Sequence, residues 1–401
     1  MKRLLSLTAV AVALAASSVQ AQQVSVKIGV MSDMSSLYAD IGGPGSTAAA
    51  KLAIADFAKS NPNVKVELLS ADHQNKADVG TGVVNKWYDT ENVDLVIDVP
   101  NSGVALAVSQ IAATKNKAFI VSGAAASDLT GPKCNANTIH WTYDTWMLAN
   151  GTGKALVKTG GDTWFFLTAD YAFGHALERD TAAAVEANGG KVLGKVRHPI
   201  NTNDFSSFLL QAQTSKAKII GLANAGGDTI NSIKQAGEFG ITQAGQKLAG
   251  LLVFSSDVKA LSLQTAQGLV LTESFYWDLN DGTREFSKRF AAKAGGKMPT
   301  MVQAGVYGAV LHYLKAVEAT KSKDAAVVMA KMKEMPTDDP LFGKGIIRAD
   351  GRKIHDAYLF EVKKPNESKG EWDLYKLISK IPGDQAFRPL DAGGCALVKK
   401  S

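Results

Sequence analysis

Small polar residues and aromatic residues recur immediately after predicted strands, and these residues could bind a small molecule. They are Tyr38, Asn101, Ser102, Ala124, Ala125, Ser127, Tyr171, Phe173, Asn224 and Asp257. Small side chains let a ligand approach backbone amides at helix N-termini, where negative charge is favoured. Aromatic rings add flat apolar walls. Any one of these loops alone is ordinary turn chemistry, but their recurrence in both halves of the chain favours a binding cleft.

The elements that must position these residues are short apolar strands that alternate with helices. The alternation runs from residue 27 to 121, pauses near Tyr143, resumes from 146 to 253 and pauses again near Tyr276. Such alternation indicates βαβ units and a parallel sheet. Right-handed crossovers then place the loops after the strands on one edge, where ligands bind in this architecture. We predict an α/β fold with two doubly wound parallel-sheet lobes.

Two local patterns make finer predictions. Residues 27–30 form a strand, the next loop holds Gly42-Gly43-Pro44-Gly45, and Ser46 is a plausible N-cap of the helix that follows. Near the end of the chain, Asp350-Gly351 is a turn signal that predicts a hairpin between strands 345–348 and 357–362. The tail beyond these strands is polar, with isolated aromatic residues at Trp372, Tyr375 and Phe387.

The first residues are typical of a secretory signal peptide. Met1-Lys2-Arg3 is basic, residues 4–16 are apolar, and Val19-Gln20-Ala21 is a small-residue cleavage site. Residues 1–21 are therefore the predicted signal peptide, and the exported chain starts at Gln22. We expect a periplasmic protein, since no later stretch has about 20 continuous apolar residues.

The net charge gives no sign of a nucleic-acid partner. Removal of Lys2 and Arg3 lowers the formal charge from +6 to +4, and the remaining basic residues are scattered. A nucleic-acid surface would cluster them. We interpret the charge as a solvated surface.

The chain has two cysteines, Cys134 and Cys395. An even pair in an oxidising compartment predicts one disulfide. It would close a loop of about 260 residues. By chain-entropy estimates, such a crosslink stabilises the folded protein by roughly 5 kcal/mol. Neither cysteine has a histidine or second cysteine at metal-ligand spacing.

The common enzyme signatures are absent from the sequence. It has no Gly-x-Ser-x-Gly elbow, Walker loop or His-Glu-x-x-His, and Gly42-Gly43-Pro44-Gly45 is not a dinucleotide fingerprint. The six histidines are scattered without metal-ligand spacing. We predict no catalytic residue, no metal and no cofactor.

Five blocks of the sequence carry a resemblance to a known family. They are KIGVMSDMSSLYADIGGPGSTAAAKLAIADF, VDLVIDVPNSGVALAVSQIAATKNKAFIVSGAAASDLT, WFFLTADYAFGHAL, DFSSFLLQAQTSKAKIIGLANAGGDTINSIKQAGEFG and MPTMVQAGVYGAVLHYLKAV. In order and spacing they resemble the type I periplasmic solute-binding proteins of ABC importers, in the branch related to leucine/isoleucine/valine-binding protein. SDMSSLYADIGGPGS and FYWDLND also resemble the subgroup that binds aromatic acids.

This resemblance implies a fold and a set of site positions. Two lobes would be joined by three hinge crossings, with residues 22–143 plus 275–340 in the N-terminal lobe, 144–274 plus 341–380 in the C-terminal lobe, and 381–401 as a tail. The ligand carboxylate would be held near Asn101, Ser102, Ala124 and Ala125. Tyr38 and Tyr171 or Phe173 would form walls, and Asn224 would contribute from the second lobe.

Two departures from the family bear on the ligand. Relatives that bind amino acids hold the ammonium with an acid after the strand that we predict to end near Val253, whereas Asp257 lies a few residues later. A frequent threonine of the family is replaced by alanine at Ala126 in the Ser122 to Ser127 segment. Both weaken the case for an amino-acid ligand.

We therefore predict a monomeric, non-enzymatic binding protein that delivers a small carboxylate, most simply an aromatic acid, to an inner-membrane ABC permease with its ATPase. Tyr143 and Tyr276 would lie at the crossings of the cleft. Alternatives left open are a branched-chain amino acid or amide ligand, a ligand sensor of a signalling system, and an exported enzyme on the same fold.

Overall fold

A computed structural model of the protein describes residues 23–399. The predicted signal peptide and the cleavage site before Gln22 lie outside the described residues. Within residues 23–399, no helix is long and apolar enough to cross a membrane.

The first lobe is built on a five-stranded parallel sheet with strand order β2-β1-β3-β4-β5. Its strands and the helices between them are β1 Val24–Ser32, α1 Gly43–Ser60, β2 Val64–Asp72, α2 Ala77–Asp89, β3 Leu95–Asp98, α3 Ser102–Thr114, β4 Ala118–Val121 and β5 Thr138–His140. β3 and β4 are fully buried apolar runs, as expected of central parallel strands covered on both faces. Ile28 of β1 pairs with Leu68 on one side and Leu95 on the other.

The second lobe has a four-stranded parallel sheet with strand order β7-β6-β8-β9. Its elements are α4 Thr145–Leu148, α5 Lys154–Lys158, β6 Thr163–Ala169, α6 Ala172–Ala187, β7 Lys191–His198, α7 Ser206–Thr214, β8 Ile219–Ala223, α8 Gly227–Glu238, β9 Lys247–Gly250, α9 Ser255–Leu261 and α10 Leu263–Ala266. A π-helical turn, Ala149–Gly153, joins α4 to α5. The strand predicted over 247–253 ends at Gly250, so the residues after it form a loop.

The chain then alternates between the lobes. The remaining elements are β10 Val270–Glu273, α11 Asp281–Ala291, α12 Met301–Thr320, α13 Ala325–Glu334, β11 Thr337–Asp339, β12 Gly343–Ile347, β13 Lys353–Ile354, β14 Ala357–Val362, β15 Tyr375–Ile381 and α14 Gly383–Ala386. Most of α12 is buried, and it packs along α1 in the first lobe. Three crossings connect the lobes, between β5 and α4, between β10 and α11, and between β13 and β14.

The predicted hairpin between strands 345–348 and 357–362 is wrong. The Asp350-Gly351 turn joins β12 to the two-residue β13, while β14 pairs with β10 and β15. The turn residues determine only the local reversal of the chain, and β14 pairs with strands that are distant in the sequence. The tail also contains β15, a strand that the sequence did not single out, which pairs with β14 at the edge of the small sheet β10-β14-β15.

Ser46 does not cap α1. The helix begins three residues earlier at Gly43, with Pro44 in its first turn, so Ser46 lies inside the helix and is fully buried. Proline at the start of a helix loses no hydrogen bond, which allows the earlier start.

The crossings are held by buried polar contacts. The Arg352 guanidinium is fully buried, donates to the Tyr143 carbonyl oxygen over 2.9 Å, and lies 3.6 Å from the Asp144 carboxylate. The backbones of Arg352 and His140 also form an isolated parallel β-bridge at the end of β5. The division of the lobes at residue 340 stays a prediction, and these contacts favour a boundary after β13.

Cys134 and Cys395 form a disulfide, as predicted, with 5.6 Å between their Cα atoms. The tail that carries Cys395 follows β15 and returns to the first lobe, where the Arg388 guanidinium donates to the Ser127 carbonyl oxygen over 3.1 Å. The tail is therefore anchored beside the loop that follows β4.

Candidate functional site

The loops after β1, β3 and β4 face those after β6, β8 and β9 around a cavity between the lobes. In this closed form the cavity has a volume of about 10 Å³. The residues that line it are Tyr38, Ile41, Pro100, Gly123, Ala125, Tyr143, Tyr171, Phe173, Ala225, Leu252 and Phe254. None of these side chains carries a charge at neutral pH.

Five of the lining residues are aromatic. Tyr171 and Phe173 are neighbours, with ring centroids 5.9 Å apart, and the Tyr143 ring meets Phe254 edge to face at 6.1 Å. Tyr38 of the first lobe completes the wall. Aromatic rings prefer tilted and edge-to-face neighbours at such distances, so these side chains pack on one another across the closed cavity.

The Tyr38 and Tyr171 hydroxyls meet across the cleft, with 2.5 Å between their oxygens. The bond joins the two lobes directly. Burial raises the pKa of both phenols well above the usual range, so both hydroxyls stay protonated at physiological pH. The pair can therefore donate to a ligand without carrying charge.

Four helices begin in the segments that follow strands ending at the cleft. They are α1 and α3 in the first lobe and α6 and α8 in the second. The N-terminus of a helix has unsatisfied amides and a partial positive charge. Helix termini thus supply the positive potential that the side chains lack.

The predicted carboxylate-binding segment lies at the floor of the cleft. Ala125 lines the cavity, and the Ala125 and Ala126 amides each donate to the Ser102 hydroxyl oxygen over 3.2 Å. The neighbouring Ala124 carbonyl oxygen contacts His140 Nε2 at 2.8 Å. Ser102 therefore organises the segment, and an anion would compete with it for the amides.

Three other predicted site residues are engaged in contacts of their own. Asn101 caps α3 through its Oδ1 and donates to Asn75. Asn224 is fully buried, with its Oδ1 accepting from Thr229, although the next residue, Ala225, lines the cavity. The Ser127 hydroxyl donates to Asp180 over 2.6 Å.

Asp257 and Tyr276 do not line the cavity. Asp257 accepts from the Phe254 amide over 3.0 Å, and burial raises its pKa to about 7. The Tyr276 hydroxyl donates to the Trp372 carbonyl oxygen over 2.7 Å, and its ring packs 4.7 Å from that of Tyr375 in the second lobe. Their ligand roles stay predictions without a contact in this structure.

Sequence reasoning missed five lining residues: Ile41, Pro100, Gly123, Leu252 and Phe254. Leu252 and Phe254 were not singled out because the strand was predicted to extend to residue 253, which placed Leu252 inside the strand and Phe254 directly at its end. Pro100 and Gly123 belong to loops that the sequence did single out.

Among residues 23–399, no group of three or more His, Cys, Asp or Glu side chains is arranged to hold a metal ion.

The fold and the cleft define a two-lobed protein that binds a small molecule between its lobes. Comparison with known proteins agrees. The family described as periplasmic binding protein matches residues 25–371, so the chain belongs to that family.

Solved structures give the same answer. A periplasmic binding protein from Burkholderia mallei is 55% identical, with a TM-score of 0.91, covering 94% of this chain and 99% of the other. A branched chain amino acid ABC transporter periplasmic ligand-binding protein from Burkholderia xenovorans LB400 is 42% identical, with a TM-score of 0.83 and coverage of 93% and 99%. The chain is therefore similar to substrate-binding components of ABC transporters, which are not enzymes.

More distant proteins extend the comparison. A Leu/Ile/Val-binding protein homolog 6 from Brucella melitensis biotype 1 is 27% identical over 66% of this chain and 68% of its own length. An ABC transporter solute-binding protein from R. palustris in complex with 4-hydroxybenzoate is 22% identical, with a TM-score of 0.81 and coverage of 90% and 97%. At that identity, the likeness concerns the fold.

Proposed function

We propose that this protein is the periplasmic component of an ABC importer and captures a small aromatic carboxylate between its lobes. The observation that carries the proposal is the cavity wall, in which five of eleven lining residues are aromatic and none is charged. A ring that stacks on Tyr171 and Phe173 would gain apolar burial and specific ring contacts. An aliphatic ligand would gain the apolar burial but not the ring contacts.

In this closed form the cavity has a volume of only about 10 Å³, against roughly 300 to 1,000 Å³ for pockets that hold drug-sized ligands, so the lobes would have to part to admit a ligand with one ring. The carboxylate of such a ligand would lie at the floor, near Ser102 and the amides of Ala124 and Ala125. The helix N-termini favour negative charge at that point. Dissociation constants in the micromolar range or below correspond to about 8 kcal/mol or more.

Isothermal titration calorimetry against a panel of benzoates, cinnamates and aliphatic amino acids tests the proposal. We expect the tightest binding from an aromatic acid, with a loss of at least tenfold when the carboxylate is replaced by a primary amide. Tight leucine binding with no aromatic binding would refute the aromatic class while leaving the transport role intact.

A branched-chain amino acid is the second candidate, because the 42%-identical structure from Burkholderia xenovorans is described as part of a branched chain amino acid transporter. Ile41 and Leu252 offer aliphatic contacts in the same cavity. Such a ligand needs an acceptor for its ammonium group. The calorimetry panel separates the two candidates directly.

Delivery of the ligand requires an inner-membrane permease with its ATPase, and export requires removal of residues 1–21. Both belong to the proposal. Co-purification of the ligand-loaded protein with a permease encoded beside its gene tests the first, and N-terminal sequencing of the exported protein tests the second, with Gln22 as the expected first residue. We expect a monomer.

A further inference from the structure

A buried carboxylate oxygen beneath the cavity has no hydrogen-bond partner. Asp98 ends β3 and is fully buried, and its Oδ2 accepts from the Ser32 hydroxyl over 2.8 Å. Its Oδ1 accepts from no group, and in residues 23–399 it is the only carboxylate oxygen that is buried without a partner. Leaving such a group unsatisfied destabilises the folded state, so its presence calls for an explanation.

The unpartnered oxygen lies against two residues of the cavity wall. A Cβ atom added to Gly123 would come within 2.8 Å of Asp98 Oδ1 and 2.7 Å of Pro100 Cα. Gly123 and Pro100 both line the cavity. Because Gly123 has no side chain, the carboxylate packs directly against the backbone of this part of the cavity wall.

The backbone that carries this carboxylate is strained. Asp98 has φ of 89° and Val99 has φ of 55°, in the left-handed region that residues other than glycine seldom adopt. A β-branched residue there is a genuine outlier, and such strain is concentrated at binding and active sites. The strained pair lies at the carboxyl end of a central strand, where ligands of this architecture bind.

A structural role accounts for only half of the side chain. Ser32 Oγ donates to Asp98 Oδ2 and accepts from the Gly43 amide over 2.8 Å, which ties β3 to the start of α1. Oδ1 takes no part in this network, although the buried Ser46 hydroxyl, which has no other partner, lies close enough to the carboxylate to lower its pKa. No cation balances the carboxylate either, because Asp98 forms no ion pair among the described residues. Burial raises the pKa of Asp98 to about 6, against the opposing effect of the Ser46 and Ser32 hydroxyls.

We propose that Asp98 Oδ1 accepts a hydrogen bond from a donor group on the bound carboxylate ligand. This proposal rests on the proposed function. The donor is a hydroxyl or an ammonium group, which present the same N–H or O–H chemistry to the oxygen. Asp98 then selects acids that carry a second, donating group over acids that have only the carboxylate.

Matched ligand pairs test this on the natural protein by calorimetry. Benzoate is compared with 2-, 3- and 4-hydroxybenzoate, and 4-methylpentanoate with leucine, so that the hydroxyl and ammonium arms are read separately. We expect at least one donor-bearing ligand to bind tenfold or more tightly than its partner without the donor.

The Asp98→Asn variant should then lose that preference. Its amide oxygen would keep the Ser32 hydroxyl, so its NH₂ group would take the place of Oδ1 and meet the ligand donor with another donor. We expect the donor-bearing ligand to bind at least tenfold more weakly, and its partner to change by less than threefold. Glu178→Gln is the matched control, since both oxygens of Glu178 are bonded within the second lobe, to Thr168 and Lys195.

The outcomes separate the two proposals. If aromatic or aliphatic acids bind but a donor changes affinity by less than twofold, or if Asp98→Asn weakens both members of a pair equally, the role of Asp98 is refuted and the carboxylate cleft stands. If no carboxylate binds, the proposed function falls and this inference falls with it. Should Asp98→Asn fail to fold, the matched pairs on the natural protein still decide.

Discussion

The hydrogen bond between Tyr38 and Tyr171 should hold the lobes together, and its removal gives a quantitative test of closure. In the closed structure each hydroxyl has the other as its partner, and Tyr38 is 3% exposed. In an open form both hydroxyls would face water. Tyr171→Phe therefore removes one hydrogen bond and leaves the Tyr38 hydroxyl unpaired, but only in the closed form.

The loss of one such bond with an unpaired buried partner costs about 1 to 3 kcal/mol. Because the cost falls on the closed form alone, the ratio of closed to open protein should fall by about 5- to 150-fold. A ligand that binds the closed form should lose affinity by the same factor. Tyr38→Phe should behave alike.

The double variant is the decisive measurement. With both hydroxyls removed no donor is left unpaired, so the double variant should bind better than the sum of the two single losses predicts. Calorimetry gives the affinities, and small-angle scattering with and without ligand gives the radius of gyration. Tyr88→Phe is a control, because its hydroxyl donates to Ala118 within the first lobe and should change neither quantity.

Additive losses in the double variant would refute this reasoning, since they would mean that the hydroxyls act independently. An unchanged affinity in Tyr171→Phe would do the same. An unchanged radius of gyration at saturating ligand would show that the cleft does not close around its ligand.

Three further predictions concern the walls, the disulfide and pH. Phe173→Ala should weaken binding and closure together, by about 3 kcal/mol at most in apolar burial, whereas Ser102→Ala should weaken binding and leave residual closure in scattering. Replacing Cys134 and Cys395 with serine should lower the free energy of unfolding by up to about 5 kcal/mol, and equal unfolding curves with and without reductant would contradict this. Burial raises the pKa of Asp257 to about 7, above the value of about 3.9 in an unfolded chain. The folded protein therefore holds a proton that the unfolded chain releases, and stability should fall as pH rises from about 4 to about 7. Asp257→Asn should flatten part of this slope in denaturant unfolding at several pH values, and an unchanged slope would count against it.

The alternation of strands and helices was predictable because parallel strands buried on both faces read as short apolar runs. The disulfide was predictable from the pairing of two cysteines in an exported chain. Tyr38, Tyr171 and Phe173 could be placed at the cleft because each follows a predicted strand. These features depend on local sequence and on the shared edge of a parallel sheet.

The rest depended on contacts between distant segments. β14 could not be assigned its partners, because pairing with β10 and β15 leaves no local mark. Tyr276 lies near a crossing, but its ring faces the second lobe because it packs on Tyr375 and its hydroxyl donates to Trp372. The unpartnered oxygen of Asp98 is likewise invisible in sequence, since it depends on which atoms fail to reach it.

The packing of α12 against α1 has a consequence for the order in which the protein is made. The strands of the first lobe are complete by residue 140, but one face of their sheet waits for a helix that begins at Met301. The second sheet, residues 163–250, is synthesised in between without interruption. During synthesis from the N-terminus, the strands of the second sheet can therefore pair while the first lobe still exposes the apolar surface of α1. This apolar surface would stay exposed on the nascent chain until about residue 320 has emerged. Until then it could aggregate or bind a chaperone.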